Sequence, residues 1–152
     1  MRLAEALILR ADMMTKLNEL RERIDGNILV QEGEEPTEDP VILLKQFEAR
    51  QEDLARLIKG INRTNQATEL RENYPLADAL VDRDRLKTKH SRLIKMAEKA
   101  RYKDVRYSQS EIKMKSMVDA KILQKKADAI AKEYRLLDLE IQQKNWDVDL
   151  IE

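Results

Sequence analysis

Asn62, Arg63, Thr64 and Asn65 place four hydrogen-bonding side chains in a row. Two amides, a guanidinium and a hydroxyl offer donors and acceptors at fixed spacing, which is what a ligand-recognising corner needs. The same residues can instead bond to backbone, finish a helix and pin a turn, and the reading leans to that structural role. With Arg106, Tyr107 and Ser108 they are the first candidate for a ligand or contact corner.

The second chemically suggestive region is basic. Between Arg85 and Lys115 lie eleven Lys or Arg residues against three acids, a net charge of +8, with Tyr102 and Tyr107 interleaved. Cations alternating with stacking rings suit single-stranded nucleic acid, and Arg92, Lys95, Lys99, Arg101, Tyr102 and Arg106 are the contacts that reading names. The chain also carries five acids in the eight residues Glu32 to Asp39, and its formal net charge is zero. A basic face answered by that acidic stretch, in the same or a neighbouring subunit, explains both features at once. Nucleic-acid binding is kept as the alternative.

The lone His90 has Arg83, Lys87 and Ile94 within one or two turns and no carboxylate or second His at ligand spacing. Metal-binding bundles use Glu-x-x-His pairs, and position 87 is Lys, so His90 reads as a hydrogen-bonded residue at a bundle edge. Asp78 and Asp82 share a helix face, but no third ligand joins them; early-turn acids complement the helix dipole. With three glycines in all, a Gly-rich phosphate loop is not available, and no nucleophile elbow or His-Glu metal motif occurs. No catalytic residue, metal, cofactor or small-molecule substrate is expected. The chain reads as non-enzymatic; an enzyme here would have to use the Asn62–Asn65 corner with Arg106–Ser108 as its pocket.

The elements that carry these residues are long helices. All glycines and prolines lie at or before Pro75, so residues 76–152 contain none, and those are the two residues a helix interior tolerates worst. Charged residues make up 38% and aromatic ones 4%, so the core is aliphatic and thin. The first helix is expected over about Leu3–Asp25, with Leu3, Leu7, Met14, Leu17 and Ile24 on one stripe, widened by Ala6, Ala11 and Leu20, and Gly26 and Asn27 ending it. Asp39 followed by Pro40 is a start signal for a second helix to about Asn62, with a seam of Leu44, Phe47, Gln51, Leu54, Ile58 and Ile61. A third spans about Leu76–Arg101, with Leu76, Ala79, Arg83, Leu86, His90, Leu93, Ala97 and Ala100 at heptad spacing. A fourth starts near Asp119 and runs to about Asn145, with Leu123, Ala127, Ile130, Tyr134, Leu137 and Ile141 at 4-3-4-3-4. The expected fold is all-α: one domain over residues 1–152, an antiparallel bundle of about four long helices in two hairpins. Ile112, Met114, Ser116 and Val118 alternate with polar residues or Met, which predicts a minor two-stranded β element of 28–31 with 112–118.

No cysteine is present, which excludes disulfides and thiolate chemistry. Glu5, Arg10 and Asp12 interrupt the first apolar stretch, unlike a signal peptide. No run of 18 apolar residues occurs, so no membrane span is expected, and the expected location is the cytoplasm.

The opening Met-Arg-Leu-Ala-Glu-Ala-Leu-Ile-Leu-Arg-Ala-Asp resembles the start of a small bacterial family of unknown function, some members of which carry the name septicolysin. The runs Val30–Pro40, Ile61–Asn65, Arg106–Lys113 and Asn145–Leu150 carry the same resemblance. It implies a helical, oligomeric fold, and the name implies a pore-forming cytolysin. From the residues, the leading expectation is a homo-oligomer that self-associates through heptad-like seams, with Leu123, Ile130, Leu137 and Ile141 as the assembly seam.

Overall fold

The computed structural model describes residues 1–101, 112 and 114–151. Four helices dominate, α1 (Leu3–Asn27), α2 (Pro40–Ala67), α3 (Leu76–Ala100) and α4 (Ala120–Asp147), with two short strands, β1 (Glu69–Arg71) and β2 (Tyr74–Pro75), between α2 and α3. The all-α architecture expected from the aliphatic spacing is the one observed. Contacts cluster into two compact units, Met1–Ala77 with Gln142–Glu152, and Asp78–Ile141.

In the first unit α1 packs on α2. Glu5 accepts from the backbone N–H of Arg2 at 2.8 Å, which satisfies one free donor at the helix start. The buried apolar side chains are Leu3, Ala4, Ala6, Leu17 and Leu20 on α1 and Leu43 and Ile61 on α2. Between Ala6 and Leu17 the partly buried face of α1 passes through Leu7, Arg10 and Met13, while Ala11 and Met14, expected on the stripe, are exposed. On α2, Leu43 rather than Leu44 opens the buried face. The first helix does not stop at Gly26. It continues to Asn27 in right-handed geometry, because the Asn27 amide donates to the Arg23 carbonyl at 2.8 Å and accepts from the Glu38 N–H at 3.0 Å, holding the returning chain. Asp39 caps α2 as expected, accepting from the Val41 N–H at 2.8 Å with Pro40 at the first helical position.

α2 also outruns its expected end, passing through Gly60 and the polar residues 62–66 to Ala67. There the Thr68 N–H donates to the Thr64 carbonyl, and the chain turns into a tight hairpin in which Glu69 pairs with Pro75 and Arg71 with Tyr74. Asn73 takes the left-handed conformation, φ 56°, which Asn tolerates better than most residues. The Arg71 guanidinium lies 5.9 Å from the Tyr74 ring centroid. This hairpin is the minor two-stranded element, and it replaces the expected pairing of 28–31 with 112–118. Residues 28–31, 112 and 114–118 form no strand; residue 113 lies outside the described residues. Alternation in a short apolar stretch does not make a strand without a partner edge to hydrogen-bond.

In the second unit α3 and α4 form an antiparallel pair. Arg83 meets Asp138 at 3.4 Å and Arg101 meets Gln124 at 3.3 Å, so the start of one helix lies beside the end of the other. The interior is Ala79, Leu86, Leu93 and Ala97 against Ala127, Ile130, Leu137 and Ile141. These are heptad positions of the two helices. Asp119 caps α4, accepting from the Lys121 N–H at 2.8 Å.

Candidate functional site

The Asn62–Asn65 corner resolves into a structural clasp. Thr64 is 1% exposed. Its hydroxyl donates to the Gly60 carbonyl at 2.8 Å and accepts from the backbone N–H of Ile151 at 2.9 Å. The tail reaches it alongside the first residues. The Leu3 N–H donates to the Val148 carbonyl at 2.9 Å, and the Leu150 N–H to the Met1 carbonyl at 2.8 Å. Arg2 closes the junction, with its guanidinium 2.9 Å from the Asp147 carbonyl and 3.3 Å from the Asp149 carboxylate. A Cβ on Gly60 would stand 3.0 Å from the Ile151 carbonyl oxygen, so glycine there allows the tail to lie against the helix. Asn62 and Arg63 are exposed and Asn65 is half-buried. The other half of the expected corner, Arg106, Tyr107 and Ser108, lies outside the described residues, as does Tyr102.

The remaining basic candidates lie on α3. Arg92, Lys95, Lys99 and Arg101 are exposed. Spacings of four, three and seven put Arg85, Lys89, Arg92 and Lys99 on one face. Arg85 has Asp82 at 3.3 Å; among the described residues, Lys89, Arg92, Lys95 and Lys99 have no carboxylate partner. In the first unit the acidic stretch makes a local ion pair, a two-pronged contact of Glu38 with Arg23. That hydrogen bond raises the Arg23 pKa above its ordinary value and holds the Glu38 carboxyl below its own.

Of the expected assembly seam, Ile130, Leu137 and Ile141 are buried and Leu123 is half-buried inside a single chain. Within one chain they form the core of the α3–α4 pair. The large apolar residues that α4 leaves outside are Ile122, Leu136, Leu139 and, in its last turn, Trp146, all more than half exposed. Sequence reasoning passed over these because the stronger 4-3-4-3-4 pattern lies on the opposite face.

His90 is half-buried and lines a surface cavity of about 300 Å³ with Lys87, Ala131, Tyr134 and Arg135. It is not hydrogen-bonded among the described residues, contrary to the expectation from its place on the seam. A second cavity of about 610 Å³ is walled by Met96, Ala100, Met114, Met117 and Val118. The alternating residues read as a strand thus serve as an apolar wall. No group of three or more His, Asp or Glu among the described residues is placed to hold a metal ion. Asp78 is exposed, and Asp82 is near Arg85 instead of a cation site. No helix among the described residues is long and apolar enough to cross a membrane.

A family of unknown function, DUF6847, matches residues 10–150. A crystal structure described as a functionally unknown conserved protein from Corynebacterium diphtheriae is 41% identical, covering 99% of this chain and 98% of that one with a TM-score of 0.90. No curated protein matches the chain.

Proposed function

We propose that this chain, which belongs to the DUF6847 family, is a non-enzymatic cytoplasmic helical protein that self-associates and acts through its surfaces. One observation carries the reading. With its seam already filled by α3, α4 still presents Ile122, Leu136 and Leu139 to solvent at 67%, 54% and 56% exposure. Spacings of fourteen and three place them on one helix face, with the exposed Ala129 between. A second apolar stripe on a helix that has already satisfied its first is what a subunit contact requires. The solution mass of the wild type against Leu136→Glu/Leu139→Glu tests this. The expected result is an oligomer that the double substitution converts to a folded monomer. A monomeric wild type, or an unchanged mass in the variant, would remove the reading.

The basic face of α3 favours a second reading, nucleic-acid binding through Arg92, Lys95, Lys99 and Arg101. Its support is the absence of a carboxylate partner for Arg92, Lys95 and Lys99 among the described residues. It requires retardation of labelled single-stranded DNA or RNA at low salt, lost steeply as salt rises.

A further inference from the structure

Equivalent heptad positions bring two unlike rows together on one side of the α3–α4 pair. Arg85, Arg92 and Lys99 each stand one residue before a heptad position of α3, namely Leu86, Leu93 and Ala100. Ile122, Ala129 and Leu136 each stand one residue before a heptad position of α4, namely Leu123, Ile130 and Leu137. Helices packed antiparallel through the same heptad positions are related by a two-fold axis across the pair, so equivalent positions fall on the same face. The contacts of Arg83 with Asp138 and of Arg101 with Gln124 set the levels. They put Arg85 near the level of Leu136 and Lys99 near that of Ile122. All six side chains are exposed. A cationic row therefore runs beside an apolar one, with Arg85 sharing its charge with Asp82 at 3.3 Å.

The first unit offers the opposite combination. The Asn27 side chain holds the Glu38 N–H at 3.0 Å, and Glu38 pairs with Arg23, so residues 28–37 form a loop closed at its base. Ile28 and Leu29 at its start, and Val41 and Ile42 just past its end in α2, are each more than half exposed. Between them Glu32, Glu34 and Glu35 are exposed and have no cationic partner among the described residues. Four large apolar side chains left in water around three such carboxylates make a contact surface that lacks its contact. Charge is divided along the chain in the same way. Asp78–Ile141 carries 17 Lys or Arg against 11 Asp or Glu, a net of +6; the rest of the chain carries 12 against 18, a net of −6. A formal charge of zero is thus the sum of two oppositely charged units.

We propose that the basic and apolar face of the α3–α4 pair receives the acidic loop of a second copy of this chain. Glu32, Glu34 and Glu35 of one copy meet Arg85, Arg92 and Lys99 of the next, and Ile28 and Leu29 cover Ile122 and Leu136. The contact rests on the self-association proposed above and names the surface that covers the outward residues of α4. A second copy is the occupant because the chain itself supplies both complements, matched in sign of charge and in apolar content. Opposite charges facing across a contact fix its register and reject other pairings. Two different surfaces meet, so the contact is heterologous: copies joined this way close into a ring or lengthen with concentration.

Light scattering of the wild type, of Glu32→Lys/Glu34→Lys/Glu35→Lys and of Arg85→Glu/Arg92→Glu/Lys99→Glu tests this. The wild type is expected to be an oligomer whose mass falls as salt rises from about 0.05 M to about 0.5 M. Each triple variant is expected to be a monomer at low salt. All six positions are exposed, so the cores are untouched, and circular dichroism checks the helices. Mixing the two variants is expected to restore assembly, because a basic loop then meets an acidic face and an acidic loop a basic one. A monomeric wild type overturns this contact together with self-association. A wild-type oligomer that is indifferent to salt, or that keeps its mass in the loop variant, overturns this contact alone. Assembly lost in both variants and not restored by mixing overturns the pairing of these two surfaces.

Discussion

The backbone N–H of Ile151 donates at 2.9 Å to the buried hydroxyl of Thr64, whose proton goes to the Gly60 carbonyl at 2.8 Å. One hydroxyl therefore joins the last turns of α2 to a tail 87 residues further along the chain. Thr64→Val keeps the shape and removes both bonds, leaving the Ile151 N–H without its acceptor. A loss of about 1–3 kcal/mol is expected, with Thr64→Ser close to wild type. Urea denaturation measures the loss, and amide exchange at Ile151 should accelerate in the Val variant alone.

Gly60 tests the same contact from the other side. In an exposed helix interior, Gly→Ala gains about 1 kcal/mol of helix propensity. At this position the new methyl would meet the Ile151 carbonyl oxygen at 3.0 Å and Leu150 side-chain carbons at 3.6 Å. The tail must shift, so Gly60→Ala is expected to forfeit the propensity gain and to speed exchange at Ile151. A variant more stable than wild type with Ile151 protection intact would show that the tail is not seated on this glycine.

Ile130 separates a core role from an assembly role. It is 7% exposed within one chain, in the interior that α3 and α4 share. Ile130→Ala is expected to cost about 2–5 kcal/mol and to leave the mass of the folded species unchanged. Light scattering alongside denaturation checks both. A change of mass without loss of stability would return Ile130 to a subunit interface.

Helix positions were legible because their causes are local. The Asp39-Pro40 start, the Asp119 cap and the start of α3 at Leu76 follow from capping chemistry and from the glycine- and proline-free stretch that supports both later helices. Heptad spacing on α3 and α4 likewise identifies the residues they bury. What was not legible depends on distant partners. Thr64 reads as one of four polar residues until the tail arrives. Leu43 and Leu44 are chemically alike, and the angle at which α1 approaches decides which is buried. Gly26 could have ended the first helix, but Glu38 returns to Asn27 and draws the helix further. The hairpin of Glu69–Arg71 with Tyr74–Pro75 carries no Asn-Gly or Asp-Gly turn dipeptide, so the sequence pointed instead to the alternation near Val118.

The Arg23–Glu38 pair makes a signed prediction about pH. Its hydrogen bond lowers the Glu38 carboxyl below its ordinary value in the folded chain. A carboxyl lowered on folding adds stability above its unfolded pKa and loses it as pH falls through the folded one. The excess stability of wild type over Glu38→Gln is therefore expected at neutral pH and should vanish in acid. Because both side chains are solvent-exposed, the difference should also shrink as salt rises. Since the Glu38 N–H is held separately by Asn27, Glu38→Gln leaves the turn closed, whereas Asn27→Ala opens it at every pH. A Glu38→Gln variant whose stability follows the wild type across the whole acid range would show that this pair closes nothing.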